Sequence, residues 1–226
     1  MIKLVNIGKE YKGNIRALSD INLHIHKGEF VYIVGESGAG KSTLIKLLLK
    51  EEKPTSGEMF INDVNVTDVS SRRIPYIRRN LGVVFQDFRL LHNKTVYENI
   101  SFAMEILGAD PKEIRRRVPV VLNRVDLSRK ADSFPEQLSG GEQQRVSIAR
   151  SIVNNPPILL ADEPTGNLDP DNALEIMKIL NDINARGTTV IMATHAKEIV
   201  DNIRRRVIQL KSGVVVRDQK RGGYDE

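Results

Sequence analysis

The sequence contains no cysteine and no tryptophan among its 226 residues. Without cysteine, the chain can form neither disulfide bonds nor thiolate metal sites. No apolar run approaches the roughly 18 residues that a membrane-spanning helix needs. Residues 1–6 have neither the long apolar stretch nor the cleavage site of a signal peptide. We therefore expect the chain to remain in the cytosol rather than to be secreted or to cross a membrane.

The composition is that of a globular protein. Apolar residues make up 40% of the chain and charged residues 28%, which argues against long disordered segments. The net charge of +5 permits contact with nucleic acid or an anionic membrane. The basic runs contain no aromatic residues for stacking on bases, so we interpret them as solvated helix faces and turns. These runs are Arg72-Arg73, Arg78-Arg79, Arg115-Arg116-Arg117 and Arg204-Arg205-Arg206.

The apolar pattern predicts an α/β fold with a helical insert. Alternating or continuous apolar runs predict strands at 2–7, 21–26, 30–34, 81–85, 158–161 and 188–192. Helical patterns cover 41–50, much of 95–155, and 171–184. This order predicts a wound, mostly parallel sheet with a helical subdomain inserted at 88–156. The polar tail, 217–226, is expected to fray.

A glycine-rich loop follows the predicted buried strand at 30–34. Residues 35–42 fit the phosphate-binding pattern G-x-x-x-x-G-K-[ST] and open a helix, so backbone N–H groups and the helix dipole can meet phosphate oxygens. We expect Lys41 to reach the β- and γ-phosphates, Ser42 to bind Mg²⁺ and Thr43 to contact the α-phosphate. The alternative, an ordinary glycine turn, is disfavoured by the strand–loop–helix context. The predicted nucleotide contacts are Gly35, Glu36, Ser37, Gly38, Ala39, Gly40, Lys41, Ser42 and Thr43.

Two acids end the apolar run at 158–161. A phosphate-loop enzyme needs an aspartate at a neighbouring strand end to hold Mg²⁺, directly or through water, and Asp162 fits that role. Glu163 could polarise an attacking water. The alternative interpretation is a strand end with two solvated acids. The phosphate loop elsewhere in the chain disfavours this alternative.

A second helix start of the same character occurs at Leu138-Ser139-Gly140-Gly141-Glu142. Ser139 is a candidate N-cap, and the two glycines offer free N–H groups before a helix that runs to about Asn155. This predicts a second anion site, one without a lysine. Both helix starts could meet one triphosphate only if a second copy of the chain supplied one of them.

With these motifs the chain resembles, over nearly its whole length, the ATP-binding subunit of the ABC transporter superfamily. Residues 138–142 match its signature motif, and 166–169 match its D-loop. Tyr11 lies where the family stacks an aromatic ring on adenine, Gln86 matches the Q-loop glutamine, and His195 matches the switch histidine. Taken alone, these three would be an ordinary strand aromatic, a polar strand end and a partly buried histidine; their order relative to the stronger motifs favours the functional interpretation.

The resemblance implies an ATPase fold with two parts. It implies a RecA-like core at 1–87 and 157–226 with an N-terminal antiparallel β part, and a helical subdomain at 88–156. It also implies a head-to-tail, ATP-dependent homodimer that closes over two ATP molecules. The implied catalytic residues are Lys41, Gln86, Glu163 and His195, and the implied Mg²⁺ ligands are Ser42, Gln86 and Asp162. The residues implied to touch the partner copy's γ-phosphate are Ser139, Gly140 and Gly141, and Glu142 is counted with them among the implied nucleotide-binding residues.

Within that superfamily, residues 85–91, 93–99 and 133–137 are similar to the cell-division ATP-binding proteins, with His92 departing from an expected proline. This branch implies a separate FtsX-like membrane protein at the division site, with the ATPase on the cytoplasmic face of the membrane. Through that partner it would regulate a peptidoglycan hydrolase or its activator. The partner's helix would dock near 86–99, with Phe88 and Tyr97 as candidate anchors or, alternatively, as packing residues of the helical block.

Two other functions remain possible. The stretch 161–169 is shared with the ATPases of lipoprotein-release and macrolide-type exporters. The basic charge leaves open a nucleic-acid-associated ABC protein, which would bind DNA or RNA in a steeply salt-dependent way. We expect no nucleic-acid binding, and the identity of the partner would separate the two membrane-linked functions.

Overall fold

The computed structural model describes residues 1–225, which form ten strands and seven α-helices. The strands are β1 (Ile2–Tyr11), β2 (Ile15–Ile25), β3 (Phe30–Val34), β4 (Ser56–Ile61), β5 (Val64–Asn65), β6 (Leu81–Val84), β7 (Ile158–Asp162), β8 (Thr189–Ala193), β9 (Arg205–Lys211) and β10 (Val214–Gly222). The helices are α1 (Lys41–Leu48), α2 (Ile74–Arg78), α3 (Val96–Glu105), α4 (Pro111–Arg124), α5 (Gly140–Ile152), α6 (Pro170–Ala185) and α7 (Lys197–Asn202). Within this part of the chain, no helix is long and apolar enough to cross a membrane.

The larger sheet has the order β10-β9-β3-β8-β7-β6. Strands β3 and β6 to β9 are parallel, whereas β10 pairs with β9 in the antiparallel direction. Every residue of β3 and β8 is buried, as the continuous apolar runs predict for strands covered on both faces. Because these strands are parallel, the loops that follow β3, β7 and β8 meet at one edge of the sheet.

The smaller sheet is antiparallel, with the order β2-β1-β4-β5, and it confirms the predicted N-terminal β part. Strand β1 pairs with β2 through Ile2 opposite Ile25, and with β4 through Ile2 opposite Ile61. Strand β2 begins six residues before the predicted strand at 21–26, and β4 was not predicted. Strand β4 was not predicted because it contains Gly57, a residue type that is depleted in strands and whose φ of +83° here is more typical of a turn.

Helices α3, α4 and α5 occupy the chain between β6 and β7, in the region expected to be helical. Their buried apolar residues, such as Ile100, Val118 and Ile148, belong to the same core cluster as Tyr32 and Met192 of the larger sheet. The helical block therefore packs directly on the sheet through a continuous apolar core. The division of the chain at 88 and 156 into subdomains stays a prediction.

Two expectations about the C-terminal part of the chain are wrong. The tail at 217–226 was expected to fray, but β10 extends to Gly222 and Asp218 lies opposite Ile208 in the ladder; residue 226 lies outside the described residues. The basic run at 204–206 was interpreted as a solvated helix face or turn. Instead, Arg206 lies in β9 with its side chain 14% exposed, because Glu29 and Asp218 each accept a hydrogen bond from its guanidinium at 2.7 Å.

Candidate active site

The glycine-rich loop connects β3 to α1 in a conformation that only glycine adopts easily. Gly35 and Gly40 have φ values of +148° and +107°. A Cβ atom on Gly35 would lie 2.3 Å from the carbonyl oxygen of Leu210 in β9. The loop is thus folded tightly between β9 and the start of α1, which directs the helix N-terminus toward the sheet edge.

A cleft of about 490 Å³ opens at this loop. It brings together residues from four separate motifs of the sequence: the glycine-rich loop, the Gln86 segment, the acid pair and the segment around His195. The residues that line it are Ala17, Ser37, Gly38, Gly40, Lys41, Ser42, Thr43, Gln86, Glu163 and His195. Ala17 was not singled out from the sequence, because an alanine in a strand carries no chemical signal.

Lys41 is held inside the loop. Its Nζ donates hydrogen bonds to the carbonyl oxygens of Gly35 at 2.7 Å and Glu36 at 3.1 Å, and it lies 4.0 Å from Oε1 of Glu163. The side chain is only 8% exposed. A buried ammonium at this position presents a fixed positive charge at the floor of the cleft, as an anionic ligand would require.

Asp162 ends β7 next to α1. Burial, together with the charge of Glu163, raises the pKa of Asp162, while the nearby Ser42 hydroxyl opposes the shift. Its Oδ1 atom is buried and has no hydrogen-bond partner. A buried carboxylate oxygen without a donor, beside a serine hydroxyl, is an oxygen-rich environment that suits a hard divalent cation such as Mg²⁺. The residues present therefore fit the predicted metal.

Glu163 is fixed between β7 and β8. Its backbone N–H donates to the carbonyl of Ala193 at 2.9 Å, and its φ of +49° places it in the left-handed region. Its carboxylate accepts a hydrogen bond from the backbone N–H of His195 at 3.2 Å, and the imidazole Nδ1 of His195 lies 2.8 Å from Oε1. A carboxylate and an imidazole in direct contact can share and relay a proton.

Gln86 follows β6 and is bonded to the loop after Glu163. Its Nε2 donates to the side-chain oxygen of Asn167 at 3.1 Å, and Nδ2 of Asn167 donates to the carbonyl of Gln86, also at 3.1 Å. These reciprocal bonds join the Q-loop and D-loop motifs, which are 81 residues apart in sequence. The contact could not be predicted, since neither segment has a pattern that specifies the other.

The signature segment forms the predicted cap of α5. The Ser139 hydroxyl accepts a hydrogen bond from the N–H of Glu142 at 3.2 Å, and the Glu142 carboxylate accepts one from the N–H of Ser139 at 2.8 Å. The second bond holds the pKa of Glu142 below its usual range. The Glu142 side chain is thus occupied by the cap, which leaves the N–H groups of Gly140 and Gly141 as the donors of this helix start.

Gln144, one turn into α5, is a residue that sequence analysis missed. It is fully buried, and its Nε2 donates to the carbonyls of Pro164 at 2.6 Å and Phe85 at 3.4 Å. It therefore bonds the signature helix to the segments that carry Glu163 and Gln86. No local signal singled it out, because Ser147 and Ser151 give the same face of the predicted helix a polar character.

Tyr11 and residues 139–142 are not among the cleft-lining residues of the described chain. Tyr11 lies at the end of β1, where Nζ of Lys9 is 4.9 Å from its ring centroid. The structure thus brings the phosphate loop, the acid pair, Gln86 and His195 together at the cleft. The start of the signature helix lies outside the cleft.

An apolar groove of about 650 Å³ lies between α2, β6 and the helical block. Of the predicted docking segment, residues 86–99, only Leu91 lines this groove. Phe88 and Tyr97, the candidate anchors, pack against the core cluster instead. The main apolar residues of the groove are Leu81, Val83, Phe85, Leu91, Phe102, Ile106 and Leu107.

The comparisons with known proteins agree on one family. A family model described as "ABC transporter" matches residues 18–166. The chain is 56% identical over 224 residues to the cell division ATP-binding protein FtsE of Bacillus subtilis (strain 168), covering 99% of this chain and 98% of that protein. It is 54% identical over 225 residues to FtsE of Mycobacterium tuberculosis, covering 99% and 98%. The fold is similar to the dimeric post-hydrolysis ATP-binding cassette MJ0796 bound to ADP and Pi, with a TM-score of 0.87 and 40% identity, covering 98% of this chain and 100% of that one.

Proposed function

The chain belongs to the ABC transporter family, and we propose that it is the ATPase subunit that drives a membrane partner in bacterial cell division. It binds and hydrolyses ATP, as members of this family do. The full-length similarity to proteins named FtsE supports the cell-division branch over the exporter branch.

The observation that carries the proposal is the contact of Glu163 with His195 at the floor of the phosphate-loop cleft. We assign Glu163 as the group that orients and deprotonates the attacking water, and His195 as its partner that contacts the γ-phosphate. Lys41 and the loop N–H groups would stabilise charge on the phosphates. Ser42, Asp162 and Gln86 would hold Mg²⁺, which neutralises phosphate charge when bound.

The position of the signature helix start supports a head-to-tail homodimer. Because residues 139–142 lie outside the chain's own cleft, their N–H groups would bind the ATP held by a second copy. The relative MJ0796 was solved as a dimer. In this arrangement ATP joins the two copies, and hydrolysis lets them separate.

The apolar groove supports a membrane partner. Its lining includes Ile106, which is 65% exposed, and the basic side chains of Arg79 and Arg150. We propose that a cytoplasmic helix of an FtsX-like protein occupies it, which would hold this chain on the cytoplasmic face of the membrane at the division site. Closure of the dimer would then act through that partner on a peptidoglycan hydrolase or its activator.

The test is capture of the partner by Glu163→Gln, tagged and purified with ATP from solubilised native membranes. We expect an FtsX-like protein to co-purify. A lipoprotein-release or efflux permease would overturn the cell-division assignment and leave the ATPase assignment intact. Nucleic acid without any membrane protein would overturn both membrane-linked functions.

A matched pair of variants tests the groove in the same experiment. Ile106→Arg places a charge in the groove and should abolish co-purification. Val120→Arg makes the same change at a residue of α4 that is 51% exposed and does not line the groove, and it should retain the partner. Equal recovery with both variants would contradict docking at this groove.

A further inference from the structure

The turn that follows β7 holds Glu163 in a strained backbone conformation. The φ of Glu163 is +49°, in the left-handed region that a residue with a Cβ atom seldom adopts. Pro164 comes next, and a proline favours an extended conformation in the residue before it. Such a conformation persists only where the surrounding structure holds it, so the contacts that hold this turn bear on its function.

Hydrogen bonds on both sides of Glu163 hold the turn. The backbone N–H of Glu163 donates to the carbonyl of Ala193 at 2.9 Å, and the carbonyl of Glu163 accepts a hydrogen bond from the N–H of Gly166 at 3.1 Å. A further bond comes from α5, since Nε2 of Gln144 donates to the carbonyl of Pro164 at 2.6 Å. A side chain of the signature helix therefore fixes the residue directly after Glu163.

Stability alone does not account for an amide at position 144. The Gln144 side chain is fully buried, and its Oε1 atom has no hydrogen-bond partner among residues 1–225. A buried amide with an unpaired acceptor is costly compared with an apolar side chain of similar size. The useful part of this side chain is therefore the donor, which meets the turn at Pro164.

We propose that Gln144 is a positioning residue for ATP hydrolysis, which holds the turn so that the Glu163 carboxylate stays beside His195. Oε1 of Glu163 lies 2.8 Å from Nδ1 of His195, a contact that a small shift of the turn would break. Gln144 does not line the cleft, so it acts through Glu163 and not on the nucleotide. This inference rests on the proposed function, because it requires Glu163 to be the group that orients the attacking water.

The test is Gln144→Met, which keeps the length of the side chain and removes the donor. We expect kcat to fall about tenfold or more, because a misplaced catalytic group slows the reaction strongly, with KM for ATP within about twofold of the wild type.

Ser147→Ala is the matched control. Ser147 lies three residues further along the same face of α5, is also fully buried, and its Oγ has no hydrogen-bond partner in the described part of the chain, so kcat should not change. A wild-type kcat in Gln144→Met, or an equal loss in Ser147→Ala, would overturn the inference.

A double-variant cycle separates the positioning of Glu163 from a general loss of structure. If Gln144 acts through Glu163, adding Gln144→Met to Glu163→Gln should lower kcat by less than about twofold, because the group that it positions is already lost. The same loss of kcat in both backgrounds would overturn the inference. Gln144→Asn, whose amide is one methylene group shorter, is a milder second variant and should show the same dependence on Glu163 if Gln144→Met does not fold.

The two proposals fail in different ways. A wild-type chain that hydrolyses no ATP, or a Glu163→Gln variant that hydrolyses it normally, would overturn the proposed function. A wild-type rate in Gln144→Met, with Glu163→Gln inactive, would overturn this inference alone.

Discussion

The imidazole Nδ1 of His195 lies 2.8 Å from Oε1 of Glu163, although 32 residues separate them in the chain. The two residues follow neighbouring parallel strands, β7 and β8, so the sheet itself brings them together. The carboxylate is mostly buried and the imidazole is mostly exposed, with side-chain exposures of 14% and 63%. The carboxylate of the pair is therefore held inside the fold, and the imidazole faces the cleft.

This contact predicts that the two residues act as one unit. Glu163→Gln and His195→Ala should each lower kcat by about 100-fold or more, the range for loss of general acid–base catalysis. The double variant should be about as active as the worse single variant, because residues of one unit are not additive. Steady-state ATPase assays of the four proteins decide this, with nucleotide affinity measured in parallel. Additive losses would show that the residues act independently.

Gly141 predicts a steric effect on stability at the signature helix. A Cβ atom there would lie 2.1 Å from the side-chain oxygen of Asn172, whereas one on Gly140 would meet Leu168 at an ordinary 3.6 Å. We expect Gly141→Ala to lower the free energy of unfolding by about 1–3 kcal/mol. Gly140→Ala, the matched control, should leave it unchanged or slightly higher. Denaturant unfolding of both variants provides the measurement, and equal stabilities would contradict the close packing on Asn172.

Gln144 predicts a pH-dependent defect. In Gln144→Glu, a buried carboxylate replaces the amide that donates to the carbonyl of Pro164. We expect the free energy of unfolding to fall by about 2 kcal/mol or more at pH 7. Part of this loss should be recovered near pH 5, because the new carboxyl takes up a proton there and can donate a hydrogen bond again. Gln143→Glu should lower the free energy of unfolding by a smaller amount, because the Gln143 side chain is only half-buried. Thermal unfolding at the two pH values tests this, and a pH-independent loss would argue against the buried bond.

The raised pKa of Asp162 predicts how the stability of the metal-free protein depends on pH. Because its pKa is raised from the ordinary 3.8, the folded chain holds a proton there more tightly than the unfolded chain. That stabilisation is complete below the unfolded-state pKa and is lost as the pH rises through the folded-state pKa. Asp162→Asn should therefore be more stable than the wild type at pH 7, with a melting temperature about 2–4 °C higher, and the difference should vanish near pH 3.5.

Magnesium removal completes the test of Asp162. Adding EDTA to the wild type with ATP should lower its thermal midpoint, because a ligand that binds only the folded state stabilises it. Asp162→Asn should show little response to EDTA and little ATPase activity. A full Mg²⁺ response in that variant would remove Asp162 from the metal site.

Much of the site was predictable because local patterns specify it. The apolar runs of β3, β7 and β8 indicate buried parallel strands, and the motif residues follow those strands at fixed positions. Parallel strands then require that Lys41, Asp162 and His195 meet at one edge. The cap at Ser139 was equally local, since serine followed three residues later by glutamate is a helix-start signal.

The parts that were not predicted depend on contacts distant in sequence. Strand β9 begins with arginines that look solvated, and the burial of Arg206 is explained by partners on other elements, Glu29 and Asp218, which are 177 and 12 residues away in the chain. The tail looked polar because its partners, such as Asp201 for Tyr224, lie on another element. Likewise, no local pattern specifies the bonds between Gln86 and Asn167.

Arg150, near the end of α5, joins this helix to the segment of the chain that follows β6. The chain leaves the sheet after β6 and returns to it before β7, and Arg150 near the end of α5 donates to the carbonyls of Phe88 at 2.9 Å and Arg89 at 2.6 Å. The outgoing segment and the returning helix are therefore hydrogen-bonded to each other. Force applied to the block from outside would therefore reach the segment that follows β6 through α5, because Arg150 at one end of this helix and Gln144 at the other both hydrogen-bond to carbonyls of residues 85–89.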